Sequence, residues 1–295
     1  MKLKLLVITL FLLTANAAFA GQHITILWPF GMGDMSANYV RAVADRANEI
    51  QKEYYFVVAP APGAGGSIAV NKALTNKNTL FSGTASFFIR KNLYPNASYD
   101  ATKVRVVLPI SNTPFALVTN KDKKFTEILA RRGQVSIGTA GYGTTTHVIS
   151  TKINIPNVVI VPYPSLTASL QNLYSGDLDL TVDQLGTVAD NPLLTVVGVT
   201  GDKRIGDFPL LTDLGYDTSR LVGPQFIGAP KSMDEDMFRS IQGILTEAFV
   251  NNPDLDRFIK MNHSDKLHVP KNSYDKWFHD NETLFNELTA GIKVE

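Results

Sequence analysis

Val135-Ser136-Ile137-Gly138-Thr139-Ala140-Gly141-Tyr142-Gly143-Thr144-Thr145-Thr146-His147 is the stretch whose reading decides the fold. It opens with a short apolar run that reads as a strand. Small hydroxyl residues are then interspersed with glycines, and a helical pattern begins at Val148, Ile149 and Ile153. A glycine-rich turn from strand to helix leaves several backbone N–H groups without intrahelical acceptors and aims them at one point. The threonines set hydroxyl donors beside them. Two readings stand for this stretch: an anion site, or an ordinary tight loop with a threonine N-cap.

A second loop of the same kind lies near the start. Ile24 to Trp28 reads as a strand ending at Pro29, and Phe30-Gly31-Met32-Gly33-Asp34-Met35-Ser36 follows it. Val40, Val43, Ala47 and Ile50 then share one helix face. Tyr55 to Ala59 and Thr79 to Ser82 are further strands, turned by Pro62-Gly63-Ala64-Gly65-Gly66-Ser67 and by Gly83-Thr84-Ala85-Ser86. Three strand-loop-helix units in succession predict a parallel sheet with its loops at the carboxyl edge. Val106 to Ile110 and Phe115 to Thr119 are strand-like, and the alternation then restarts around the opening stretch. Val158 to Val161, Leu178 to Val182 and Leu194 to Val199 read as strands. Gln225 to Ala229 reads as the strand that returns to the first lobe, and Ser232-Met233-Asp234-Glu235 as a capping box starting a helix. Two runs of such units, joined outward by Phe115–Thr119 and back by Gln225–Ala229, predict two α/β lobes facing one cleft.

The first twenty residues read as a leader peptide. Lys2 and Lys4 precede an apolar core from Leu5 to Leu13, too short to span a bilayer, and Ala18-Phe19-Ala20 supplies a cleavage site. Cleavage after Ala20 leaves 275 of the 295 residues. With no cysteine, a lipid anchor is not expected, and disulfides, thiolate metal sites and a cysteine nucleophile are excluded. The mature chain is therefore expected to be exported, soluble and monomeric. Removing Lys2 and Lys4 takes Lys and Arg from 28 to 26 against 27 Asp and Glu, a net charge of −1. Such a balance carries no electrostatic footprint for nucleic acid or acidic membranes.

Enzyme motifs are missing. The chain holds no G-x-S-x-G, H-E-x-x-H or Walker A pattern. In a G-x-G-x-x-G reading of Gly63 and Gly65, position 68 is Ile68. Neither His263 nor His268 has metal-ligand spacing, and no cofactor or metal is expected. His147 alone of the five histidines lies in a candidate loop, where packing in the first helical turn is its expected role.

Six segments in register resemble the periplasmic receptors of tripartite tricarboxylate transporters, the Bug/TctC type. They are Ile26-Leu27-Trp28-Pro29-Phe30, Pro62-Gly63-Ala64-Gly65-Gly66, Leu93-Tyr94-Pro95, Gly138 to Thr144 with His147, Val161-Pro162-Tyr163, and Gly176-Asp177-Leu178-Asp179-Leu180 before Asp183. The resemblance implies a two-lobe, type II-like periplasmic binding fold, each lobe a mainly parallel sheet flanked by helices, with a two-strand hinge. Lobe 1 would comprise 21–118 and 223–295, and lobe 2 would comprise 119–222. It implies capture of a small organic carboxylate and delivery to membrane permease subunits.

Carried over onto this chain, the ligand-binding residues would be Pro29, Phe30, Gly31, Met32, Gly33 and Ser36 in the first loop. Thr84, Ala85 and Ser86 would follow the third strand, and Thr139, Gly141, Tyr142, Gly143, Thr144 and Thr145 would come from the second lobe. Asp183 matches a family aspartate that faces the cleft. The chain departs from the family at Gly33-Asp34-Met35-Ser36, where glycines followed by Thr-Asp are usual. Asp34 would cap the helix or meet a ligand ammonium group. Tyr142 is larger than the residue common there, and would wall the pocket or stack on a ring. Apart from Arg90 and Lys91 beyond the third loop, none of these loops holds a cation. A carboxylate would then be held by amides, hydroxyls and helix dipoles. Charge-assisted bonds of about 1.5–3 kcal/mol each suit a micromolar binder. A sensor subunit for a signalling protein, or an exported enzyme on the same scaffold, are the alternative functions.

Overall fold

Apolar strand runs punctuated by Pro and Gly loops set the path of the chain. The computed structural model describes residues 21–96 and 99–294; the expected leader peptide and its cleavage point lie outside the described residues. Strand β1 (Gln22–Trp28) is followed by helix α1 (Ala37–Ile50), β2 (Tyr54–Pro60), α2 (Ser67–Leu74), β3 (Thr79–Thr84), α3 (Ala85–Leu93) and β4 (Val104–Thr113). The chain then makes β5 (Phe115–Asn120), α4 (Phe125–Ala130), β6 (Val135–Thr139), α5 (Thr145–Ile153), β7 (Val158–Pro162), α6 (Leu166–Ser175), β8 (Leu180–Gln184), α7 (Leu185–Val188) and β9 (Leu194–Val199). It ends with β10 (Gly223–Pro230), α8 (Glu235–Val250), α9 (Pro253–Met261), β11 (Asp265–Lys266) and α10 (Tyr274–Thr289).

These strands form two sheets, in the orders β11-β4-β10-β3-β1-β2 and β7-β6-β8-β5-β9. In the first sheet β1, β2, β3 and β4 run one way, with β10 antiparallel between β3 and β4. In the second, β5 alone opposes the others and lies between β8 and β9. Each lobe is therefore a mainly parallel sheet with a reversed strand inserted at the same place, and in the first sheet the short edge strand β11 is antiparallel to β4 as well. The two inserted strands, β10 and β5, are those expected to join the lobes.

The joining strand Phe115–Thr119 does not cross between sheets, and the expected boundary at 118/119 falls inside β5. β4 belongs wholly to the first sheet and β5 wholly to the second, so the chain changes sheets at Pro114. Proline lacks the N–H that a continuous strand would need there. A second correction concerns α8. Its N-cap is Asp234, whose carboxylate accepts from the Met237 N–H, and not Ser232. Asn252 caps α9 as its Asn-Pro sequence predicts, accepting from the Leu255 N–H with proline in the first turn.

Aromatic packing consolidates the first lobe. Phe87, Phe88 and Phe226 meet ring to ring with Phe278 from α10, which fixes α3 against β10 and the C-terminal helix. The start of α3 is thereby held rigidly at the edge of the cleft.

Candidate ligand-binding cleft

In both sheets the strand order reverses beside the first strand of the unit, and ligands sit outside the carboxyl ends of strands at such points. The loops after β1 and β3 in one lobe face those after β6 and β8 in the other. Between them lies a cleft bounded by Trp28, Phe30, Asp34, Thr84 and Ser86 on one side. Ala140, Thr144, Thr145, Thr146 and Gln184 bound it on the other, with Phe115 at the sheet change and Ser165 and Leu166 after β7. Its cavity of about 50 Å³ has room for a few water molecules.

The opening stretch builds the second-lobe wall. Thr144 is the N-cap of α5: its hydroxyl accepts from the His147 N–H at 3.4 Å and donates to the Gly141 carbonyl at 2.7 Å. With that proton engaged, the 3.1 Å contact between Thr144 and Thr146 hydroxyls takes its hydrogen from Thr146. Thr146 Oγ1 in turn accepts from the Ala140 N–H at 3.0 Å. The amides of Thr145 and Thr146, at the first two helical positions, have no intrahelical acceptor. The Thr145 hydroxyl makes no hydrogen bond among the described residues and borders the cleft. Thus Thr144 shapes the turn between β6 and α5, and Thr145 is the residue with a hydroxyl to offer.

From the first lobe α3 presents the matching feature. Thr84 is its N-cap and makes no side-chain cap bond, so the first-turn amides remain open. Thr84 and Ser86 both border the cleft. The same helix carries Arg90, 7% exposed, whose Nη1 donates to the Tyr142 carbonyl of the other lobe at 3.0 Å. Its guanidinium lies 3.9 Å from the Tyr94 ring centroid. Gly143 permits this approach: at φ 71°, a Cβ there would fall 2.7 Å from Tyr94 Cε2 and 2.9 Å from Arg90 Cδ.

Two acids differ from everything around them. Burial pushes the Asp34 carboxyl up to about 6. Burial also raises Asp183 to about 7, against the lowering effect of the Gln184 N–H and with the charge of Asp34 raising it further. Asp183 Oδ1 accepts that N–H at 2.7 Å, while Oδ2 is buried without a partner. The cap expected of Asp34 does not form. Ser36 occupies the N-cap of α1, and the Asp34 backbone carbonyl, not its carboxylate, accepts from the Ala37 N–H at 3.0 Å.

Of the residues expected at the site, Phe30, Asp34, Thr84, Ser86, Thr144 and Thr145 border the cleft. Pro29, Gly31, Met32, Gly33 and Ser36 do not, because the β1–α1 loop winds onto itself through turns from Gly31 to Tyr39. Ala85, Thr139, Gly141, Gly143 and Asp183 do not border it either; Asp183 is buried and precedes Gln184, which does. Tyr142 neither walls the cleft nor offers it a ring. Its side chain is 42% exposed and packs edge-on against His147 at 5.1 Å. His147 is buried, its pKa lowered by that burial, and its Nδ1 accepts from the Gly143 N–H. Trp28, Phe115, Ala140, Thr146, Ser165, Leu166 and Gln184 also border the cleft without being expected there. Trp28, Ala140 and Thr146 lie in the loop-bearing segments, Phe115 opens the joining strand and Gln184 adjoins Asp183; Ser165 carries no local signal.

The sequence profile of the tripartite tricarboxylate transporter family receptor matches residues 40–289. The chain belongs to this receptor family. A Pseudomonas sp. relative, described as "UPF0065 protein in tcbD-tcbE intergenic region", is 26% identical over 212 residues, 67% of this chain and 62% of its own length. The chain thus spans less than two thirds of that relative. Among solved structures, the fold is shared with the periplasmic binding protein BugD, at TM-score 0.82 and 19% identity over 91% of this chain and 96% of that one. MatC from Rhodopseudomonas palustris, solved with malate, aligns at TM-score 0.78 and 16% identity, covering 90% and 98%. Another R. palustris protein, solved with adipate, aligns at 0.80 and 18%, covering 91% and 96%. Among the described residues no helix is long and apolar enough to cross a membrane.

Proposed function

We propose that this receptor captures a small carboxylate in its interlobe cleft and delivers it to a membrane permease of the tripartite tricarboxylate type. One observation carries the reading. The N-termini of α3 and α5, from opposite lobes, converge on a cleft whose bordering residues include no Lys or Arg. Helix N-terminal amides and hydroxyls such as Ser86 and Thr145 suit an anion without a cationic partner. The relatives solved with malate and adipate support the same ligand class. In this reading the chain is exported after cleavage at Ala20, acts as a monomer and performs no catalysis.

A panel of small carboxylates, sugars and divalent cations, scored by melting temperature and then calorimetry, tests it. A ligand at a hundredfold excess over Kd adds about 2.7 kcal/mol of stability. Stabilisation by sugars with none from carboxylates would overturn the assignment.

A further inference from the structure

Asp34 gives the cleft a carboxyl group with no counter-charge among the described residues, and the buried Asp183 lies close enough to feel its charge. The Asp34 carboxylate borders the cavity and accepts no hydrogen bond among the described residues. Asp183, 1% exposed, adjoins Gln184 in the chain, and its Oδ2 has no hydrogen-bond partner among the described residues. The titratable neighbours are engaged elsewhere. Arg41 on α1 donates to the Met32 carbonyl at 2.8 Å and to Asn38 Oδ1 at 2.6 Å. Arg90 on α3 holds the Tyr142 carbonyl, and His147 on α5 accepts from Gly143. Among the described residues no cation offsets either acid, and each is close enough to the other for their charges to interact.

We propose that the ligand supplies the absent positive charge: it carries a protonated amine set against Asp34, with Asp183 as a second negative charge behind. Its carboxylate then lies at the N-termini of α3 and α5. This inference rests on the carboxylate-receptor reading above and narrows the ligand to zwitterionic, amino-acid-like acids. The arrangement separates the two charges of such a molecule, placing amides and hydroxyls at one end and carboxylates at the other. A plain diacid would meet Asp34 with a like charge unless Asp34 kept its proton. The two ligand types therefore respond oppositely to pH. An ammonium-bearing ligand binds more tightly as the acids ionise, and an amine-free acid binds less tightly.

The test uses protein unfolded, dialysed free of co-purified ligand and refolded. Matched pairs differing only in the ammonium group (aspartate and succinate, glutamate and glutarate, alanine and propionate) are titrated calorimetrically. In at least one pair the ammonium-bearing member should bind roughly tenfold or more tightly than its partner at about pH 8. That ratio should shrink at about pH 5, where both acids hold their protons, and should approach one in Asp34→Asn. The pH arm needs no variant, so it decides the matter even where Asp34→Asn fails to fold. Equal or tighter binding of the amine-free members at the higher pH overturns the inference and leaves the carboxylate reading standing. Binding by no member of any pair overturns both.

Discussion

The Arg90 guanidinium donates to the Tyr142 carbonyl across the cleft at 3.0 Å, joining the two lobes directly above the N-terminus of α5. This charge-assisted, part-buried bond ties the two lobes together, and the stacking of Arg90 on Tyr94 orients the donor. The contact brings a first-lobe side chain to a second-lobe backbone that has no Cβ in its way, and lobe closure is expected to use it.

Gly143→Ala should block that closure. The added Cβ meets Tyr94 and Arg90 inside contact distance, and its backbone lies at a positive φ that strains alanine. Small-angle scattering with saturating ligand should show the variant more extended than the parent, with affinity reduced roughly tenfold or more. An unchanged scattering profile would remove Arg90 and Gly143 from the closing mechanism.

Thr144 and Thr145 should separate under mutation. Thr144→Val removes an N-cap, costing about 1 kcal/mol and a few degrees of Tm. Thr145→Val and Ser86→Ala should leave Tm near the parent's and weaken binding by roughly 1–2 kcal/mol, about five- to thirtyfold. Differential scanning calorimetry paired with titration resolves the two. Normal ligand affinity in both Thr145→Val and Ser86→Ala would place the ligand elsewhere.

The stability that Asp34 and Asp183 contribute to the ligand-free protein should fall as pH rises from about 4 to about 7. Asp34 and Asp183 have folded-state pKa values of about 6 and about 7, above the usual aspartate range. In that window the native state binds more protons than the unfolded chain, so the unfolding free energy declines with pH. Replacing Asp183 by Asn should flatten this decline and raise Tm on its alkaline side. Parallel pH profiles for parent and variant would show that Asp183 titrates normally.

Trp28 borders the cleft, whereas Trp277 packs against Phe88 and Phe226 in the first-lobe core. Ligand binding should therefore change tryptophan emission, and Trp28→Phe should abolish the change while Trp277→Phe preserves it. The reverse pattern would place the spectral response, and with it the bound ligand, away from the cleft.

Much of this architecture is legible in local sequence because its causes are local. Ile24 to Trp28 alternates into Pro29, and Gly138 to Thr144 leads from a strand into a capped helix; β1, β6 and α5 follow. The change of sheet lies a few residues ahead of the expected boundary, since Phe115 to Thr119 has the same apolar pattern in either sheet and only Pro114 marks the break. The role of Asp34 depended on where α1 begins. The turns between Gly31 and Tyr39 put the N-cap at Ser36, two residues further on, and that winding is invisible to a cap preference. Phe115, Ser165 and Leu166 reach the cleft because of tertiary packing alone, so no motif announces them.

Pro114 is preceded by Thr113, and Thr113 is the last member of a hydrogen-bonded chain that starts at the cleft. Gln184 Oε1 accepts from Asn262 Nδ2 at 3.2 Å, and that amide also donates to the Tyr39 hydroxyl at 2.6 Å. Tyr39 meets Ser264 at 2.9 Å, and Ser264 meets Thr113 at 2.9 Å. Asn262 Oδ1 further accepts from the Gly186 N–H at 3.0 Å, so one buried first-lobe asparagine grips the second lobe twice. Opening the lobes must break or carry along both grips, each leaving a buried polar group unpaired. The pivot is therefore expected to act as a catch that resists opening, and Gln184, which also borders the cleft, links that catch to the site.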